Sequence, residues 1–213
     1  MKTAAIIPVK TFLRAKTRLG LSCEQTEKIC EIMLEEILHV LSISPQIDKI
    51  IMVTKDKKAL GLSEKFNTVS IFDDKESGVN NAVALADKYL LKNGFETSIV
   101  VPQDIPYIKT QDIDFMLKFK ANSDFAIVVP SRRFDGTNAL IRNPINLMKT
   151  HYDEDSYKIH MSTAKEATRD VSLVFVKRIM WDVDNIEDLN FLLNQSEKPD
   201  IAQKIRLVIG SKG

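Results

Sequence analysis

An α/β fold is predicted, in one domain over residues 1–213, with a mostly parallel central sheet and helices on both faces. Three observations predict it. Short apolar, largely β-branched runs recur at residues 4–9, 50–53, 68–72, 98–101 and 124–129. Stretches with helical spacing of apolar residues separate them, which is the pattern of parallel strands joined by crossover helices. The first strand also empties into the basic loop Lys10-Thr11-Phe12-Leu13-Arg14-Ala15-Lys16-Thr17-Arg18, and ligands bind at the carboxyl ends of such strands.

Each element follows from local signals. Ser22 with Gln25 makes a capping box, opening a helix whose apolar residues Ile29, Met33, Ile37, Val40 and Leu41 share a face. A shorter helix is expected near residues 57–66. Gly78 precedes a helix that stops at Gly94, a glycine C-cap pattern. Thr110 caps the next helix. Beyond residue 130 a loop at 131–137, a short strand at 139–141 and a helix near 154–168 are expected. A strand at 171–176 and a last helix capped by Asn185 follow, and 203–210 reads as a further strand, at an edge or in a dimer contact. No linker, repeat or low-complexity stretch divides the chain.

Composition narrows the function. Thirty basic residues balance 29 acidic ones, which argues against a general nucleic-acid or membrane-surface binder. No apolar run approaches the ~18 residues of a membrane span, and no signal-peptide layout precedes the first strand, so a cytoplasmic protein is expected. Cys23 and Cys30 sit seven apart in one helix, about 10 Å along its axis. That is too far for a disulfide, so both are expected to be reduced packing residues.

The chemistry-bearing residues point to a phosphate-rich ligand. Lys10, Lys16 and Arg18 could offset a triphosphate, although a solvated basic loop has the same composition. The glycine-rich phosphate-binding fingerprints are absent. Asp104 lies between Pro102 and Pro106 just past a buried strand, where a carboxylate could hold Mg²⁺ or merely cap a turn. Asp182 and Asp184, at i and i+2, point the same way in an extended chain and could share that metal, or simply precede a helix cap. Gly136 and Thr137 suit an anion, or an ordinary turn. His39, His151 and His160 show no metal-ligand spacing.

Together these stretches resemble the 2-phospho-L-lactate guanylyltransferases of coenzyme F-420 biosynthesis. The matching pieces are I-I-P-V-K with K-T-R-L within residues 6–19, G-V-N-N-A from Gly78, and P-Q-D-I-P around Asp104. G-T-N-A-L from Gly136 and D-V-D-N-I-E-D-L from Asp182 complete the order. The resemblance implies a Rossmann-like nucleotidyltransferase fold, like that of the nucleotide-diphospho-sugar transferases. It implies GTP and 2-phospholactate as substrates, Mg²⁺ as cofactor, pyrophosphate as leaving group, and a homodimer. It further implies that Lys10, Lys16 and Arg18 hold the triphosphate and act in catalysis with Asp104. Gly78 and Asn80 would lie near the nucleoside, Asp104, Asp182 and Asp184 would hold the metal, and Thr137 and Ser156 would bind the acceptor. Asp153 stands where related enzymes often have glycine; its carboxylate would repel an anionic acceptor unless turned away.

The alternatives are another phosphorylated acceptor (phosphoenolpyruvate, 3-phosphoglycerate, molybdopterin or a sugar phosphate), a metal-dependent glycosyltransferase, or a non-catalytic nucleotide-binding module.

Overall fold

Alternation within the first strand organises the molecule. In β1 (Thr3–Pro8), Ala4 and Ile6 face one apolar layer while Ala5 and Ile7 face the other, all fully buried. A strand covered on both faces needs helices above and below it. The computed structural model, which describes residues 1–153 and 155–210, supplies them.

From β1 the chain passes through α1 (Cys23–Ser42), β2 (Lys49–Thr54), α2 (Lys57–Ser63), β3 (Val69–Phe72), α3 (Val79–Lys92), β4 (Thr97–Val100) and α4 (Thr110–Met116). It continues through β5 (Phe125–Pro130), β6 (Thr137–Asn143), α5 (Ser156–Ala167), β7 (Asp170–Leu173), α6 (Ile186–Leu193) and α7 (Pro199–Gly210). The seven strands form one sheet in the order β3-β2-β1-β4-β6-β5-β7. Every pairing is parallel except those of β6, which runs antiparallel to both β4 and β5. Helix α3 covers the Ile6 face, and α1, α4, α6 and α7 contribute to the Ile7 face.

The capping box of α1 forms as expected: Ser22 Oγ accepts from the Gln25 N–H while Gln25 Oε1 accepts from the Ser22 N–H. Gly94 adopts φ +71 past the end of α3.

Four expectations are corrected. Residues 203–210 belong to helix α7, whose Ile201, Ala202 and Ile205 pack against α1; Gln25 of α1 donates to the carbonyls of Val208 and Ile209. Lys109, not Thr110, caps α4, its backbone N–H donating to Asp112 Oδ2. Strand β7 ends at Leu173, because Val174 and Val176 turn into the core beyond it. Cys23 is exposed at the start of α1, whereas Cys30 is buried; both are free. Glu154, where the sequence begins a helix, and the tail beyond residue 210 lie outside the described residues. Among those residues, no helix is long and apolar enough to cross a membrane.

Candidate active site

The basic loop is anchored by its apolar residues. Phe12, Ala15 and Leu19 enter the core, which leaves Lys10, Arg14 and Arg18 exposed at the sheet edge while the Lys16 side chain is itself largely buried. Two hydrogen bonds from Thr11 to Glu76 (2.6 and 3.0 Å) and one from the Phe12 N–H to Asp56 (2.9 Å) strap the loop to the β2 and β3 edges. Lys16 takes a left-handed backbone conformation (φ 56) between two short helical turns. Lys10, Arg14, Lys16 and Arg18 all line one cavity of about 310 Å³, together with Asp104, Asp184 and Thr137.

The acids arrive from two other segments. Ile105, Tyr107 and Ile108 are buried after the β4 strand, which fixes the Asp104 turn. Trp181 and Val183 are buried and flank Asp182, and the Val183 N–H donates to the Asp104 carbonyl at 3.0 Å. Asp184 is thereby delivered to the cavity that Asp104 lines. The Lys16 ammonium bridges them, 2.5 Å from Asp104 Oδ2 and 2.7 Å from Asp184 Oδ1. Burial would lower the Lys16 pKa, but the two carboxylates outweigh it and hold it above the usual lysine range. Asp182 accepts instead from Asn138 Nδ2 at 3.1 Å. Burial, then repulsion from Asp104 and Asp184, push its carboxyl up to about 6.

This arrangement changes how the expected metal site reads. Among the described residues no group of three His, Cys, Asp or Glu stands ready to hold a metal, because a lysine lies between two of the acids. Mg²⁺ nevertheless needs only one or two carboxylates when phosphate oxygens complete its shell. Among the described residues Asp104 Oδ1 is buried with no hydrogen-bond partner, and Asp182 lies close enough to Asp104 and Asp184 to be repelled by both. These residues fit Mg²⁺ arriving with a nucleotide.

The third component is a hydroxyl whose proton is freed by its neighbours. The His151 N–H donates to His160 Nε2 at 2.8 Å, so the neutral ring carries its proton on Nδ1. That Nδ1–H donates to Thr137 Oγ1 at 2.9 Å, and Ser156 Oγ donates to the same oxygen at 3.2 Å. Both lone pairs of Thr137 are then occupied, which leaves its own O–H to donate to an anion in the cavity it lines. A register shift at Val129/Pro130 pairs Pro130 with Thr137 and skips Asn138. This bulge lets adjacent residues serve one site, Thr137 at the cavity and Asn138 on Asp182.

His160 must be neutral for this network. Burial, with contributions from His151 and Arg142, lowers its pKa to about 3. The unfolded chain, with an ordinary imidazole near pH 6.5, therefore binds a proton that the folded chain refuses. Stability is complete above about pH 6.5 and falls as pH drops toward 3. Through this group alone, unfolding in urea at pH 5 costs ~2 kcal/mol less than at neutral pH. His160→Gln, whose amide can still accept from His151, loses that part of the pH slope.

Residues 3–208 match the family described as Guanylyl transferase CofC like. The chain belongs to that family. It is 31% identical to the phosphoenolpyruvate guanylyltransferase of Conexibacter woesei, over 90% of this chain and 87% of that protein. It is 28% identical to the 2-phospho-L-lactate guanylyltransferase of Methanobrevibacter smithii, over 94% and 88%. Among solved structures, a Desulfovibrio desulfuricans protein assigned as a nucleotide-diphospho-sugar transferase superposes with TM-score 0.75 at 16% identity, over 97% of this chain and 95% of that one. A Leptospira borgpetersenii cytidylyltransferase gives 0.63 at 14%, over 100% and 98%. At such identities the likeness is one of fold.

As a CofC-like guanylyl transferase, the chain brings Lys10, Lys16, Arg18, Asp104, Asp184 and Thr137 to one cavity. Ser156 is buried and reaches the cavity only through Thr137. Asp182 sits behind Asp184, on Asn138. Gly78, at φ +109, caps α3 and lines a neighbouring cavity; a Cβ there would meet nothing, so the backbone conformation alone favours glycine. Asn80 lines neither cavity. Its Oδ1 accepts from the Tyr152 N–H (2.8 Å) and its Nδ2 donates to Asp153 (3.4 Å), which turns that carboxylate onto Asn80. Arg14, Gln103 and Tyr152 also line the main cavity. Arg14 was visible as one of the four cations of the loop and Gln103 as part of the P-Q-D-I-P stretch, while Tyr152 and His160 stand at the two ends of the stretch that holds Asp153 and Ser156.

Proposed function

We propose that this guanylyltransferase condenses GTP with (2S)-2-phospholactate, releasing pyrophosphate and forming lactyl-2-diphospho-5′-guanosine, in coenzyme F-420 biosynthesis. The observation that carries the reading is the cavity where four cations, two carboxylates and the freed Thr137 hydroxyl meet. The cations suit a triphosphate, and Thr137 offers a hydrogen bond to a small phosphorylated acid beside it.

An acceptor phosphate has a second pKa of ~6, so at neutral pH its oxygen is a nucleophile without a general base. That oxygen attacks the α-phosphorus of GTP, the bond from the α-phosphorus to the bridging oxygen breaks, and the electron pair leaves with pyrophosphate. Lys10, Lys16 and Arg18 stabilise the charge gathering on the leaving group, and Thr137 orients the acceptor. Asp104 and Asp184, with Asp182 behind them, would hold Mg²⁺, which when bound supplies positive charge at the reacting oxygens.

The name of the Conexibacter woesei relative favours a second reading, with phosphoenolpyruvate as acceptor. Pyrophosphate release measured with GTP and each of 2-phospholactate, phosphoenolpyruvate and 3-phosphoglycerate separates the two. Release greatest with 2-phospholactate supports the proposal; preference for phosphoenolpyruvate replaces it; no release with any acceptor overturns both. ATP and CTP in parallel test the base. Thr137→Val should raise the acceptor KM ~10-fold or more, the worth of a hydrogen bond to a charged group. The GTP KM should stay unchanged, and Thr137→Ser should retain most activity. An unchanged acceptor KM in the valine variant would remove Thr137 from acceptor binding.

A further inference from the structure

We propose that a second cavity, opening from the first, receives the guanine base and that Asp73 is the residue that selects it. The inference rests on the guanylyltransferase reading above and assigns the specificity of that same site.

This cavity, about 200 Å³, shares Pro8, Lys10, Arg14 and Val79 with the phosphate cavity. A nucleotide whose phosphates lie among Lys10, Lys16 and Arg18 can therefore extend directly into it. Val9, Val53, Val79 and Ala82 give it apolar walls suited to a flat aromatic base. Among the described residues two carboxylates line it, Asp73 and Glu76, and their states differ.

Glu76 is already engaged. Its Oε1 accepts from the Thr11 N–H, and its Oε2 accepts from the Thr11 hydroxyl at 3.0 Å and pairs with Lys55 at 3.1 Å. Those contacts strap the basic loop, so Glu76 shapes the cavity wall and has little capacity to spare. Asp73 is different. It is 7% exposed at the end of β3, tied by its own N–H to the Thr54 carbonyl. Its Oδ1 accepts from the Glu76 N–H at 3.1 Å and, at 3.5 Å, from Asn81. Among the described residues nothing donates to Oδ2. A carboxylate oxygen can accept twice, so Asp73 presents one free oxygen and one partly used oxygen.

Guanine is the base that matches. Its N1–H and exocyclic N2–H lie side by side and meet a carboxylate in a two-pronged pair. Adenine and cytosine each set a ring-nitrogen lone pair beside a single amino group, and that lone pair is repelled by the carboxylate. Inosine keeps N1–H but lacks the N2 amine, so it makes only half the pair. A buried carboxylate left without its donors is penalised, which gives such sites strong discrimination.

The test is nucleotide binding without acceptor, by calorimetry with GTP, ITP, ATP and inorganic pyrophosphate, on wild-type protein and Asp73→Asn. Wild type should bind GTP ~10-fold or more tighter than ITP, and ATP more weakly than GTP. In Asp73→Asn the GTP affinity should fall at least ~10-fold and the GTP/ITP gap close, while pyrophosphate binds as before. Unaltered GTP/ITP discrimination in a variant that still binds pyrophosphate would overturn the assignment of Asp73 and leave the function standing. Should the variant fail to fold, equal wild-type affinity for GTP and ITP overturns the assignment, and a large gap supports it. Wild-type protein that does not prefer GTP over ATP would remove the proposed function together with this base site.

Discussion

Asp104→Asn should lose ~10²-fold or more in turnover, the scale on which transition-state charge stabilisation fails when one preorganised group is removed. The residue has two duties, and the amide spoils both. Its Oδ2 holds the Lys16 ammonium at 2.5 Å, in partnership with Asp184. Its Oδ1 is buried without a partner among the described residues, oriented by a turn whose flanking residues are locked in the core. Asparagine keeps the shape and the turn, so the fold survives on the remaining Lys16–Asp184 pair. Loss of negative charge leaves Lys16 less firmly placed and weakens any hold on Mg²⁺. Pyrophosphate release at saturating substrates, alongside a melting curve showing an intact fold, measures the effect. Turnover near the wild-type rate would take Asp104 out of the mechanism.

The largest stability effect should come from the sheet face that α3 covers. Arg142, 1% exposed near the end of β6, forms a two-pronged pair with Asp87 of α3 (2.7 and 3.0 Å), backed by Ser98 and the Met148 carbonyl. Burial outweighs the attraction of Arg142 and holds the Asp87 carboxyl above its usual range, so the intact pair is not a large net source of stability. Breaking it is another matter. Asp87→Ala strands a buried guanidinium between the sheet and α3, at a cost of about 3–5 kcal/mol, a large share of the ~5–15 kcal/mol of a whole domain. The double variant Asp87→Ala/Arg142→Met should recover much of that loss, since no charge then remains buried. Urea midpoints of the wild type, the single and the double variant check this. A single variant that costs under ~1 kcal/mol would contradict the account.

The parts of the molecule legible in the sequence are those governed by local rules. Two-faced strands, the Ser22–Gln25 capping box and the glycine at Gly94 depend on neighbours within a few residues, and they appear where expected. Helix α7 was misread because its run of β-branched residues favours a strand until the apolar face of α1 offers a helical seam. The bulge at Thr137 was invisible, since a register shift belongs to a strand pair and not to either strand. Within the site, Lys10, Lys16, Arg18 and Asp104 were legible because strand ends announce them. The insertion of Lys16 between two acids was not, for it joins residues 88 and 168 positions apart. The chain from His160 and Ser156 to Thr137 likewise exists only once α5 docks behind β6. The role of Asp73 likewise depends on the cavity beside it and on which of its oxygens is already used.

The most direct measurement is a structure of the protein with GTP and Mg²⁺ bound. The account predicts the triphosphate among Lys10, Lys16 and Arg18, with the α-phosphate turned toward Asp104 and Thr137. A triphosphate seated away from that cavity, with Asp104 and Lys16 still paired and untouched, would contradict it.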